Sequence, residues 1–139
     1  MVISSTNPTD LSNAREALLE EAGVSGDKVH AVAFNVADEA ACKGAVQEIK
    51  RLTGRTPDIL VNNAGANHRT SLDQFTLEKF ESVLRVNVGG PFVLARECAP
   101  GMRERGWGRI VNVGSIMGEI GRAGLHVLCS RDSNLQELS

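Results

Sequence analysis

The chain has 139 residues, with 15 Lys and Arg against 17 Asp and Glu and a formal net charge of -2. That balance describes one globular domain, and the scattered basic residues give no electrostatic footprint for nucleic acid. No run of about 18 apolar residues exists to span a membrane, and Met1 to Asp10 lacks a signal-type stretch, so the expected compartment is the cytoplasm.

Val2-Ile3, ending in Ser4-Ser5-Thr6-Asn7-Pro8, reads as a strand entering a turn. Leu11, Ala14, Leu18 and Ala22 then recur at helical spacing, with Thr9 or Asp10 as the cap and Gly23 as the stop, predicting a surface helix with one buried stripe. Lys28 to Val36 is rich in Val and Ala and reads as a second strand. A second helix carries Ala41, Ala45, Ile49 and Leu52 and ends near Gly54.

Pro57 to Val61 is a continuous apolar run that breaks into Asn62-Asn63-Ala64-Gly65, followed by a polar loop from Ala66 to Phe75. From Thr76 a helix places Leu77, Phe80, Leu84 and Val88 on one face. Gly89-Gly90-Pro91 is expected to interrupt it before a helical pattern resumes through Leu94 and Cys98 toward Met102. Arg109 to Val113 is the last strand. Alternating helices and apolar strands predict an α/β domain of the doubly wound, Rossmann-like class, its parallel sheet covered on both faces. The polar tail from Cys129 has no core-forming pattern and is expected to fray. Cys42, Cys98 and Cys129 are far apart and read as buried or incidental thiols; no metal site is expected.

Asn62-Asn63-Ala64-Gly65 after a strand, Asn87 in the next helical segment, Gly108-Arg109-Ile110-Val111-Asn112-Val113-Gly114-Ser115, and Asn35-Val36-Ala37-Asp38 together resemble the short-chain dehydrogenase/reductase family over roughly residues 2 to 127. Asn35-Val36 and Gly114-Ser115 look like the 3-oxoacyl carrier-protein reductases, while Ser115 to Arg122 is similar to gluconate 5-dehydrogenase-type members. The resemblance implies an NAD(P)-dependent oxidoreductase that transfers hydride between a nicotinamide and a small ketone or secondary alcohol. In such sheets a nucleotide binds beyond the carboxyl ends of the strands. Small Ala64 and Gly65 would let the backbone pass close to the ribose and nicotinamide, while the Asn62 and Asn63 amides could tie neighbouring strands together. By the same resemblance Asn35 and Val36 would border the adenine. In isolation these segments read as ordinary strand ends and turns.

Nucleotide choice falls to Ser4, Ser5 and Thr6, where no carboxylate stands to reject a 2′-phosphate; NADP is therefore favoured over NAD, without an Arg to enforce it. Ser115 matches the family's catalytic serine, and Asn87 its relay asparagine. Where the family carries Tyr and then Lys, this chain has Leu128 and Asp132, and tyrosine is absent throughout. A leucine cannot transfer a proton, so the isolated chain is expected to be inactive, and Asn87 is expected to lose its relay role and to serve equally well as a helix cap. His68, Arg69 and His126 read as solvated side chains near the mouth, and Trp107 as a packing residue.

The family's glycine-rich turn between strand and helix is not found, so binding of the nucleotide by the chain alone is doubtful. In the usual order 3-2-1-4-5-6 the strand preceding that turn is central; without it two buried edges are expected, with marginal stability, unless the sheet closes across the gap or another chain fills it. Together with the loss of the Tyr and Lys, this reads as a truncated or frame-altered piece of a longer enzyme: a partial nucleotide-binding domain at 1–127 and a divergent tail at 128–139. The competing expectation is a non-catalytic module that associates with a full-length relative, or with itself, through the 91–105 helix.

Overall fold

A computed structural model of the chain describes residues 1–115. Four strands, β1 (Val2–Ser5), β2 (His30–Ala33), β3 (Ile59–Asn62) and β4 (Arg109–Asn112), alternate with helices α1 (Pro8–Ala22), α2 (Glu39–Thr53), α3 (Leu77–Leu84) and α4 (Gly90–Glu104). β1 pairs in parallel with β2, and β3 in parallel with β4. The two pairs remain separate two-stranded sheets, so the sheet does not close across the gap. The architecture is parallel α/β, as expected.

The helix boundaries follow from side chains at their ends. α1 begins earlier than expected because Asn7, not Thr9 or Asp10, is the cap: its Oδ1 accepts from the Thr9 and Asp10 amides, and Pro8 fits the first turn, where no N–H partner is required. Asp38 caps α2 by accepting from Ala41, and Thr76 caps α3 by accepting from Lys79. Gly23 and Gly54 close α1 and α2 in the left-handed conformation, at φ 60° and 81°.

The expected interruption at Gly89-Gly90-Pro91 does not occur. A π-helical turn, Arg85–Gly89, joins α3 directly to α4. Pro91 has no N–H to continue the ladder, and the π-helical turn just before it, in which the Gly90 amide donates back to the Arg85 carbonyl, carries the helix past that gap. The wide turn also rotates the buried face. Val83 is fully buried and Asn87, Gly90 and Leu94 follow inward, whereas the expected stripe of Leu77, Phe80 and Val88 is exposed, Leu77 at 70%. In α1 the expected stripe is thin: Leu11 is buried, Leu18 half-buried and Ala14 exposed.

The core lies where α2 and α4 pack together. Cys42 and Val46 of α2 meet Val93, Leu94, Cys98 and Met102 of α4, with Leu60 and Ile110 of the strands beneath. Further along α2, Ala45 and Ile49 pack with Val32 of β2 and Val2 of β1. Phe34 touches both clusters, so α2 and Phe34 hold the two sheet halves together. Each buried aliphatic side chain there contributes roughly 1.5–3 kcal/mol. Among the described residues no helix packs on the other face of β3, where Ile59 and Val61 are 55% and 56% exposed.

Candidate functional site

A cavity of about 1060 Å³ opens between β1 and β3, and Ser5, Thr6, Asn35, Val36, Asn62, Asn63, Ala64 and Gly65 all line it. These are the eight residues singled out in the sequence as nucleotide-facing. They reach one place because parallel strands bring their carboxyl ends to the same edge: Thr6 follows β1, Asn35 and Val36 follow β2, and Asn63 to Gly65 follow β3. The cavity continues down the strands to Met1, Arg55 and Asp58 and is floored by Val46, Ile49, Leu94 and Cys98.

The rim is built from amides and small residues. Asn35 turns its own backbone by accepting from the Ala37 amide at 2.9 Å. Val36 lies against Gly90 so closely that a Cβ there would sit 2.6 Å from the Val36 carbonyl oxygen, which makes a side-chain-free position obligatory. Asn62 is 5% exposed and its Nδ2 donates to Asn112 Oδ1 at 2.8 Å, tying β3 to β4 as its amide suggested. Asn63, Ala64 and Gly65 are exposed.

Asn87 lies outside the cavity lining. It is 4% exposed and grips the loop after β3 with both ends of its amide: Oδ1 accepts from the Ala66 amide at 2.8 Å, and Nδ2 donates to the Ala66 carbonyl at 3.0 Å. The expectation of a helix cap is corrected by this geometry, since the side chain satisfies a loop rather than its own helix. Ser115 sits half-buried beyond β4. His68 and Arg69 are exposed on the loop. Trp107 is not a core residue but half exposed, with the Arg109 guanidinium 5.5 Å from its ring centroid. His126, Leu128, Cys129, Asp132 and the tail lie outside the described residues.

Sequence reasoning missed Asn112, Ala66 and Gly90. The first two are partners of polar side chains that become visible only when distant segments meet, although Asn112 stood as a polar residue in an apolar strand. The site carries little charge. Arg55 and Arg105 both pair with Asp58 at the lower mouth, at 2.7 and 2.8 Å. Cys98, beneath the cavity, is pushed up to about 11 by burial and the neighbouring Glu97, and Cys42 is raised by burial and by Asp38, so neither thiol is poised as a nucleophile. Among the described residues, no cluster of metal-ligating side chains is present and no helix is long and apolar enough to cross a membrane.

A family model for short chain dehydrogenases matches residues 2–130, and the chain belongs to that family. It is 35% identical over 116 residues to the 3-oxoacyl-[acyl-carrier-protein] reductase of Aquifex aeolicus, covering 84% of this chain and 46% of that protein. It is 32% identical over 125 residues to the gluconate 5-dehydrogenase of Gluconobacter oxydans, covering 90% of this chain and 47% of that one. The crystal structure of a gluconate 5-dehydrogenase from Burkholderia cenocepacia in complex with NADP and tartrate superposes with a TM-score of 0.80 at 30% identity, covering 94% of this chain and 49% of that chain. The chain thus spans about half the length of the relatives it matches.

Proposed function

We propose that this chain is the nucleotide-facing part of an NAD(P)-dependent oxidoreductase acting on a ketone or secondary alcohol, with a 3-oxoacyl or sugar-acid compound as substrate, and that the 139-residue chain alone does not turn over. The observation that carries this reading is the convergence of eight family-matched residues from three strand ends on one cavity. Their chemistry suits an uncharged nucleoside surface. Hydroxyls at Ser5 and Thr6 can meet the ribose, the Asn35 amide and Val36 side chain can meet an adenine edge and face, and Ala64 and Gly65 leave the backbone accessible.

When bound, the nicotinamide supplies or accepts the hydride. Ser115 then hydrogen-bonds the substrate oxygen, and Asn87 is a positioning residue that fixes the Ala66 end of the loop over which the ring would lie. The proton needs a donor: Leu128 has none to transfer, and an aspartate at 132, where the family carries Lys, would raise rather than lower the pKa of a neighbouring acid. NADP is the favoured nucleotide, because no carboxylate stands at Ser5 or Thr6 to repel a 2′-phosphate.

A second reading rests on α4. Phe92 is 63% exposed with the Arg96 guanidinium 5.7 Å from its ring, and a face of that kind supports association with a full-length relative or a second copy.

Titration of isotope-labelled chain with NADPH tests the first reading. Amide shifts are expected at Ser5, Thr6, Asn35, Val36 and Asn63 to Ala66, and Ser5→Asp is expected to weaken NADPH while sparing NADH. If the amides that move lie outside that set, the nucleotide assignment is wrong. Ketone reduction by the isolated chain, abolished in Ser115→Ala, would overturn the expected inactivity.

A further inference from the structure

Two loops of the cavity rim rest on one turn of helix. Val36 follows β2, at the end where an adenine would lie, and Ala66 follows β3, at the end where a nicotinamide would lie; both line the cavity. Their strands pair with different partners, β2 with β1 and β3 with β4, so no strand ladder links one loop to the other.

Asn87 and Gly90 supply the link, each touching one loop. Asn87 holds the N–H and the C=O of Ala66, at 2.8 and 3.0 Å. Gly90 abuts Val36: a Cβ on Gly90 would lie 2.6 Å from the Val36 carbonyl oxygen and 2.9 Å from the Val36 Cβ. The Cys42 thiol of α2 donates to that same carbonyl at 3.4 Å, which holds Val36 in place against the turn. Asn87 and Gly90 are both buried, so neither contact yields to solvent.

The wide turn explains how a single turn serves two loops. In an α-helix, residues three apart lie on the same face. The π-helical turn, closed by the Gly90 amide on the Arg85 carbonyl, advances less per residue and so separates the directions of Asn87 and Gly90. Val86 and Pro91, which flank the pair in sequence, line the same cavity.

We propose that this turn is a shared brace that couples the two ends of the site: displacement of the Val36 loop passes through Gly90 and Asn87 to Ala66, and displacement of Ala66 passes back. Gly90 and Asn87 are positioning residues, each acting on the loop it does not touch through the one it does. Such coupling is reciprocal, so a ligand that fixes one loop lowers the cost of ordering the other. That the loops hold a nucleotide rests on the reading above; the coupling is measured without any ligand, so either can fail alone.

The test is amide exchange in the 139-residue chain, with the Cys98 amide in the core of α4 as the reference for global opening. Val36→Gly and Ala66→Gly each loosen one loop backbone and leave every residue of the turn intact. In Val36→Gly, exchange at Ala66, whose N–H is bound by Asn87, should rise roughly threefold or more relative to Cys98. In Ala66→Gly the same relative rise is expected at Ala37, whose N–H is bound by the Asn35 side chain in the Val36 loop. Ser5→Ala, which alters the rim at β1, should leave both ratios unchanged.

An unchanged Ala66 ratio in Val36→Gly would overturn the proposal, as would a response in one direction only. An equal rise in Ser5→Ala would also overturn it, by showing a general loosening of the rim. Should Val36→Gly fail to fold, Ala66→Gly decides alone, and an unchanged Ala37 ratio there refutes the brace. A wild-type chain with no protection at Ala66 would refute it outright.

Discussion

Asn87 in the π-helical turn and Ala66 in the loop after β3 form a two-point hydrogen-bonded pair, the carboxamide meeting both the N–H and the C=O of one residue at 2.8 and 3.0 Å. The side chain is nearly inaccessible, so its loss leaves buried backbone groups without partners. Asn87→Ala is expected to cost about 1–3 kcal/mol in urea unfolding and to speed amide exchange at Ala66. Asn87→Asp keeps the acceptor, loses the donor and buries a charge, and should cost at least as much. A change within about 0.5 kcal/mol for both would show the pair to be incidental.

The Asn62–Asn112 bond between the ends of β3 and β4 makes a different prediction. Replacing either residue alone by Val strands the other's amide, at about 1–3 kcal/mol, whereas replacing both removes the polar pair altogether. The double variant should be less destabilised than the sum of the singles by about 0.5–3 kcal/mol, measured as a double-mutant cycle. Strict additivity would mean that the two amides do not depend on each other.

Adjacent glycines should respond with opposite signs. A Cβ at Gly90 would meet the Val36 carbonyl oxygen at 2.6 Å and the Val36 Cβ at 2.9 Å, so Gly90→Ala must push α4 away from the β2 end, at about 1–3 kcal/mol. A Cβ at Gly89 finds nothing closer than the Leu84 carbonyl oxygen at 3.8 Å, at a helical φ of -60°. Gly89→Ala should therefore stabilise by about 0.4–1 kcal/mol. Thermal unfolding of the two variants side by side reads both signs, and amide shifts at Val36 should accompany only the first.

Glu39 joins α2 to α4. Its carboxylate meets Lys43 at 2.8 Å and Arg96 at 2.9 Å, and these bonds, that to Lys43 foremost, bring it from an ordinary 4.5 to about 2. Because the folded value is depressed, its contribution to stability is present above pH about 4.5 and is lost as pH falls toward about 2. All three side chains are exposed, so the effect should be small and screened by salt. A carbon-detected titration of Glu39 should give a midpoint well below 4.5 at low salt, rising in molar salt. Glu39→Gln should flatten the acid limb of stability between those two pH values; an unchanged limb would remove the network as its cause.

Local order was legible in the sequence because it is written in neighbouring residues. The spacing of Ala41, Ala45, Ile49 and Leu52 with Gly54 after them defines α2 without reference to anything distant. The apolar run before Asn62 marks β3 in the same way, and the strand-end motifs marked the residues that line the cavity. Where the sequence misled, a competing contact decided. Asn7 captured the first turn of α1, and the π-helical turn carried the chain through Gly89-Gly90-Pro91 while rotating Val83 and Asn87 inward.

The sequence by itself determined that this chain is a parallel α/β protein of the short-chain dehydrogenase family, because helix and strand periods and short motifs are properties of adjacent residues. Only the tertiary structure decided that the two strand pairs stand apart, that Asn87 serves Ala66, and that Gly90 must lack a side chain. Each of these depends on a hydrogen bond or a close approach between segments far apart in the chain, and the geometry of such an encounter is not encoded at either position alone.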